Sequence, residues 1–330
     1  MITIRSQKEN GLIETDTVST GCWIDARNVD KADLERLEQE FGIAGELLTD
    51  IMDVDEQARI EKEEGYTALI VRLPVYDASY EVSFFTMPVG VILFADKIVT
   101  ICQGSSDALE DLTKNRLRGF TIRNKSSFVL NLLGRAAFTF LKALKELNKR
   151  ANLTELELQR SIRNNELIQL LSLQKSLVYF TTSIKTNELL LEKLQKSPLI
   201  RFKEDERELL EDVVTENKQA IEMANIYSSI LTGTMDAFAS VISNNLNIVM
   251  KRLTIVSIVL MIPTLVYSFF GMNVQLPFAA SSMAVWGIGI LSLLTSLLGA
   301  ILLNSDRKRK KITPKIIPYS LIHRIASKLI

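Results

Sequence analysis

Histidine occurs once in this 330-residue chain and cysteine twice, and these scarcities remove several chemistries at the outset. Cys22 and Cys102 stand in apolar, strand-like surroundings without CxxC spacing, and His323 lies in the C-terminal tail. That set cannot assemble a zinc site, and the two thiols read as reduced core residues. It also leaves no Ser/His/Asp or Cys/His constellation, so nothing argues for an enzyme. No Walker-type phosphate loop appears, which leaves a pump driven by ATP hydrolysis unsupported. Thirty-nine basic and thirty-nine acidic residues give a net charge of zero. No overall basic field therefore points to nucleic acid. The opening MITIRSQKENG lacks the apolar stretch of a secretory signal, so about the first 250 residues are expected to stay where the chain is made.

The most telling absence is local. No charged side chain occurs between Leu253 and Ser305, yet Lys251-Arg252 precedes the run and Asp306-Arg307-Lys308-Arg309-Lys310-Lys311 follows it. Within it, residues 253–270 and 283–303 each approach the ~20 residues that cross a bilayer core. A buried core helix is the alternative, but two adjacent uncharged spans with basic flanks favour the membrane. The same flanks place both termini on the cytoplasmic side and only residues 271–282 outside.

Ahead of the spans the chain reads in segments. Residues 1–125 form a cytoplasmic α/β domain. Cys22-Trp23-Ile24 is a strand, and Asn28 or Asp30 caps a helix through LERLEQEF that Gly42 ends. A short helix follows near 46–52. Strand-rich runs then cover 59–62, 66–75, 82–94 and 97–102, with turns at Asp77-Ala78-Ser79 and Ala95-Asp96. From residue 126 strand signals vanish. Phe128, Leu132, Ala136, Phe140 and Leu144 keep helical spacing, Asn164-Asn165 interrupts, and a second helix over 166–196 ends before Pro198. Residues 126–202 are thus a long antiparallel helical hairpin. Residues 203–252 are a stalk helix in which Gly233 is a point of loosening, 253–303 the membrane domain, and 304–330 a basic tail.

A polar stripe runs along the stalk and the first span. Steps of three and four residues pick out Asp236, Ser240, Ser243, Asn247, Met250, Thr254, Ser257, Met261, Thr264 and Ser268, every one polar or methionine. A 3.5-residue period keeps one seam on a common axis in a supercoiled bundle. A soluble coiled coil puts apolar residues there, whereas a polar seam suits several copies surrounding water. One chain with two spans cannot enclose a pore, so this reading requires a cyclic homo-oligomer in the lipid bilayer. Hydroxyls bonding back to their own helix are the alternative, residue by residue.

The first span ends at Gly271-Met272-Asn273. Gly271 suits a helix terminator because glycine adopts left-handed geometry without penalty. An outward C-terminus also brings the negative pole of the helix dipole and the Asn273 amide oxygen to one mouth.

With this tripeptide, two C-terminal spans, a basic tail and NNLNIVMKRLTIVSIVLMIPTLVYSFFGMN, the chain resembles the CorA family of magnesium channels over nearly its whole length. The resemblance implies an α+β domain, hairpin and stalk in a homopentameric funnel that admits hydrated Mg2+, with Co2+ or Ni2+ as further ions. It implies a selectivity filter at Gly271, Met272 and Asn273. Met250 and Leu253 match the family's hydrophobic constriction, with Asn247 just below it, and Asp236 matches an acidic ring. Asp50 and Asp212 match carboxylates that bind regulatory Mg2+ between protomers, although two ordinary solvated acids remain the alternative. Hard cations do take carboxylate oxygen, and Mg2+ keeps several of its waters.

Three positions depart from the family. Phe270 replaces its usual tyrosine, VQLPFAASSM carries no acid in the outer loop, and Thr49 stands where a second acid can accompany Asp50. The tail continues as ITPKIIPYSLIHRIASKLI, which suits an interfacial amphipathic helix. The expected function is passive Mg2+ import gated by intracellular Mg2+. The zinc-transporting branch, whose signature commonly reads Gly-Ile-Asn, and a non-conducting membrane scaffold are the alternatives.

Overall fold

The structure, a computed structural model, describes residues 1–8, 11–114, 120–160, 164–197, 199–200, 202–272 and 283–305. These fall into two units, Met1–Phe238 and Ala239–Ile330. Among the described residues the first unit contains seven strands in one sheet. They are β1 (Ile2–Lys8), β2 (Gly11–Thr15), β3 (Cys22–Arg27), β4 (Arg59–Lys62), β5 (Tyr66–Tyr76), β6 (Phe84–Phe94) and β7 (Lys97–Cys102). Their order is β2-β1-β3-β7-β6-β5-β4, antiparallel except where β3 meets β7.

Alternation along the strands explains why both faces are covered. On β5, Tyr66, Ala68 and Ile70 enter one core, and Leu69, Val71 and Leu73 enter the other. The first core is closed by α1 (Lys31–Phe41) and α2 (Gly45–Met52) through Leu37, Phe41, Leu47, Leu48 and Ile51. The second takes α3 (Asp107–Thr113), the start of α4 (Lys125–Arg160) and the end of α5 (Asn164–Lys196). Asp30 accepts the Asp33 N–H at 2.8 Å to start α1, and Gly42 ends it at φ 67°. Cys22 and Cys102 are buried in these cores, where burial pushes the Cys102 thiol up to about 11 and keeps it protonated.

The hairpin helices α4 and α5 pack with the first part of α6 (Glu204–Phe270) around Phe140, Leu144, Phe180, Ile184, Ala220 and Ala224. Phe140 and Phe180 meet edge to face at 5.3 Å. Gly233 lies inside α6 without interrupting it, because a helix tolerates an isolated glycine at modest cost.

Two buried polar groups tie helices to the sheet. Asn187 on α5 accepts the Arg72 N–H at 2.9 Å and donates to the Arg72 carbonyl at 2.8 Å. At the other site Glu206 of α6 accepts from Ser126 Oγ, the Lys203 N–H and Asn124 Nδ2, joining the starts of α4 and α6. Burial opposes its charge, but those donors outweigh burial and hold the carboxyl below its usual range. A folded-state value lower than the unfolded one gives stability that is complete above the ordinary carboxylate range and lost as pH falls through the folded value. Glu206→Gln is therefore expected to flatten the acid limb of the stability curve, measured as the unfolding midpoint of the full-length protein between about pH 6 and pH 3.

Gly90 on β6 positions α2. A Cβ there would overlap Ile51 Cδ1 and lie 2.8 Å from Ile51 Cγ1. The close approach seats α2, and with it Asp50, against the sheet. Gly90→Ala is expected to cost about 1–3 kcal/mol by overpacking, read from denaturant unfolding of the full-length protein.

Candidate functional site

Among the described residues three helices, α4, α6 and α7 (Met283–Ser305), are long and apolar enough to cross a membrane. Their burial separates them. The apolar stretch of α4 is 56% buried inside the protein, while that of α6 is 0% and that of α7 6% buried. The first has already spent its apolar face on the sheet and hairpin. The other two are left largely uncovered by protein. Residues 253–270 of α6 rise about 27 Å and the 23 residues of α7 about 35 Å, matching a hydrocarbon core of about 30 Å.

Within the second unit, α6 shows two kinds of face. Ile255, Val259, Ile262, Val266 and Phe270 recur at helical spacing and are half-buried. Ile262 Cδ1 lies only 2.6 Å from the point a Cβ on Gly299 would occupy, so α7 approaches this face closely. About a third of a turn away lies the polar seam. Ser243, Asn247, Met250, Thr254, Met261, Thr264 and Ser268 are exposed, as is Leu253, and Ser257 is half-buried. Asp236, which belongs to the first unit, is exposed on α6 as well.

Three hydroxyls of the seam bond back to their helix. Thr254 Oγ1 donates to the Met250 carbonyl at 2.9 Å, Ser257 Oγ to Leu253 at 3.0 Å, and Thr264 Oγ1 to Leu260 at 3.3 Å. The alternative set out from sequence is thus correct for each of these donors, but it leaves the oxygen lone pairs unspent. At these three positions the seam presents acceptors.

At the C-terminal end of α6, the expectation about Gly271 needs correction. The left-handed glycines among the described residues are Gly11, Gly21, Gly42 and Gly65. Gly271 keeps a helix-like bond instead, its N–H donating to the Tyr267 carbonyl at 2.8 Å. A Cβ there would lie 3.1 Å from that same carbonyl oxygen. Glycine serves by leaving room at the carbonyl end, not by reversing the chain. Met272 is exposed, and Asn273 lies outside the described residues, as do the rest of the loop to residue 282 and the basic cluster after Ser305.

The two acids expected to hold regulatory Mg2+ have different surroundings. Asp50, near the end of α2, places Oδ2 2.6 Å from Arg59 Nη2. Asp212 is exposed on α6, one turn before Glu216, whose carboxyl is pushed up first by burial and then by the Asp212 charge. Among the described residues no hydrogen bond or ion pair joins Asp50 to Asp212 within one chain, and no cluster of three or more His, Cys, Asp or Glu side chains that could hold a metal ion is found. Arg59 and Arg72 were not anticipated. Arg59 also pairs with Glu56 and Glu61, and Arg72 is buried against the carbonyls of Val54 and Glu56. The available signal was a lone arginine amid Asp50, Asp53, Asp55, Glu56 and Glu61, with Arg59 and Glu61 on one side of a strand.

The family model for CorA-like Mg2+ transporter proteins matches residues 19–310. The chain belongs to this family. Among CorA proteins it is 26% identical to the cobalt/magnesium transport protein CorA of Methanocaldococcus jannaschii over 269 residues, covering 80% of this chain and 84% of that one. The protein of the same name from Thermotoga maritima is 22% identical over 303 residues, at 88% and 84% coverage. The complete structure of the CorA magnesium transporter from M. jannaschii aligns with a TM-score of 0.77 at 23% identity, over 92% of this chain and 96% of that chain. The α+β unit, helical hairpin, long α6 and C-terminal apolar helices are the CorA fold.

The contact at Gly299 yields a direct test. Gly299→Leu is expected to force α7 off Ile262 and lower the unfolding midpoint of the full-length protein in detergent. Combining it with Ile262→Ala should recover part of the loss, measured as a double-mutant coupling of about 0.5–3 kcal/mol.

Proposed function

We propose that this CorA-like protein is a passive divalent-cation channel of the cell membrane, importing hydrated Mg2+ through a symmetric homo-oligomer and closing when intracellular Mg2+ binds between protomers. A pentamer follows from the family resemblance. Both termini lie on the cytoplasmic side, in keeping with the basic flanks of the spans. Mg2+ is the principal cargo and Co2+ a second one, as the names of the two relatives suggest. Ni2+ is a further candidate.

The observation that carries this reading is the exposed polar seam on the face of α6 away from Ile262. Exposed to lipid, a row of serine, threonine and asparagine is unfavourable; turned toward copies of itself, it lines water. The three back-bonded hydroxyls present lone pairs, which accept from the outward-pointing protons of a cation's water shell. No formal charge falls between residues 253 and 305, so nothing along this stretch would hold a divalent ion too tightly to release it. In the proposed pathway Asn273, with Gly271 and Met272, selects the hydrated ion at the outer mouth. Met250 and Leu253 form the apolar constriction, and Asp236 supplies cytoplasmic negative charge.

For regulation the donor chemistry fits. Asp50 and Asp212 offer carboxylate oxygens with enough exposure for a hydrated hard cation. A site shared between protomers needs only one of them from each chain. Loss of the ion would leave like charges facing one another, which favours separation.

Purified protein in liposomes is expected to take up Mg2+ down its gradient. Asn273→Ala should reduce uptake at least tenfold or abolish the preference for Mg2+, and unchanged uptake would remove Asn273 from the selectivity role. Preferential Zn2+ flux would favour the zinc branch, and intact oligomers that pass no divalent ion would favour a scaffold. Asp50→Ala and Asp212→Ala are each expected to raise the internal Mg2+ concentration that halves the flux, whereas an unshifted inhibition curve counts against both sites.

A further inference from the structure

Arg59 opens β4 at the end of the sheet, and three of its guanidinium nitrogens serve three carboxylates. Nη2 meets Asp50 Oδ2 at 2.6 Å, Nε meets Glu61 Oε1 at 2.7 Å, and Nη1 meets Glu56 Oε1. All four side chains are partly exposed. The connection between α2 and β4 adds Asp53 and Asp55. Without the guanidinium, like charges would converge on this surface.

A second arginine makes the arrangement asymmetric. Arg72 is buried beneath the same segment and bonds the carbonyls of Val54 and Glu56, Thr86 Oγ1 and Ser183 Oγ. Burial pushes its pKa down, and the charges of Asp55, Glu56 and Asp53 oppose that effect. Arg72 holds the backbone and is shielded from exchange. Arg59 gathers the side chains from the solvent side, where an ion can compete with it.

We infer that Arg59 is a tethered cation that occupies Asp50 in place of a divalent ion, and so sets the Mg2+ concentration at which the Asp50 site fills. The inference rests on the reading of Asp50 as a regulatory ligand. Three features make the exchange favourable for Mg2+ yet not free. The ion carries twice the charge of the guanidinium and binds carboxylate oxygen at closer range. Arg59 can release Asp50 while keeping Glu56 and Glu61, so no buried cation is stranded. Five carboxylates against two guanidiniums also leave the surface negative after the exchange. Thr49, where a second acid can stand in the family, removes one further donor in the same direction. Both features raise the concentration needed for closure.

The test measures, on full-length protein in detergent, the midpoint of the Mg2+-induced rise in unfolding temperature, and in liposomes the internal Mg2+ that halves the flux. Arg59→Gln is expected to lower both midpoints roughly three- to tenfold, the scale of a few partly exposed ion pairs. Arg59→Lys keeps the charge but loses the fork, and should lower them by a smaller factor. Damage to the fold would weaken binding and raise the midpoints, so the direction separates competition from a structural role. In an Asp50→Asn background Arg59→Gln should change neither midpoint further. If Asp50→Asn alone leaves the wild-type response intact, the regulatory reading of Asp50 fails. If Asp50→Asn shifts the response but Arg59→Gln leaves it unchanged or raises it, the reading of Asp50 stands and the role of Arg59 is overturned. Should Arg59→Gln not fold, the same comparison is made with Arg59→Lys, where an unchanged or raised midpoint overturns the proposal.

Discussion

A hydroxyl inside hydrocarbon must find its partner within the protein, because the bilayer core supplies none. On α6, Thr254, Ser257 and Thr264 meet that requirement by donating to the carbonyl four residues earlier. This local solution has a directional consequence. A hydroxyl has one proton to give, and once the helix has taken it only lone pairs face outward. At these three positions the seam is therefore polarised toward accepting hydrogen bonds without carrying a formal charge. A hydrated cation turns its water protons outward and a hydrated anion its lone pairs. In the proposed assembly, cation preference would thus be distributed over several weak contacts, a pattern that permits release as well as entrance.

Another side of the same helix shows why the seam remains available. Ile262 and Gly299 bring α6 and α7 together through a small residue and a branched one, with no polar group involved. Close approach at glycine gains packing where the hydrophobic effect contributes little between helices. One helix thereby divides its perimeter between a partner in the same chain and a face that the proposed assembly turns toward copies.

The membrane segment was legible in sequence because its signals are one-dimensional: absence of charge, length, and a polar residue every three or four positions. The central strands were legible for a similar reason, since β5, β6 and β7 are dense in β-branched and aromatic residues. Strands β1 and β2 were missed because ITIRSQK and GLIET mix charged and polar residues with apolar ones and, toward one end of the sheet, bury few side chains fully. Helix α3 has only seven residues, too few for a periodic pattern. Gly271 was assigned the commonest role of glycine at a helix end, whereas the relevant property is the space left beside the Tyr267 carbonyl. Asp50 could be singled out from sequence, but not its attachment to Arg59, which requires α2 and the end of the sheet to be placed side by side.

That attachment joins the core to the proposed regulation. Ile51 is seated by the missing Cβ of Gly90, and its neighbour Asp50 is thereby held where Arg59 can reach it. Arg72 fixes the backbone of the intervening segment from below and is itself held through Asn187 of α5. A change of partner at Asp50 thus occurs on a framework that touches both the sheet and the hairpin. The framework is rigid by burial, while Arg59 is partly exposed and has two remaining carboxylates to retain it. Such a pairing of a fixed buried cation with an exchangeable surface one lets an ion replace a side chain without the loop losing its shape. It also confines the cost of exchange to partly exposed charges, where solvent keeps that cost small.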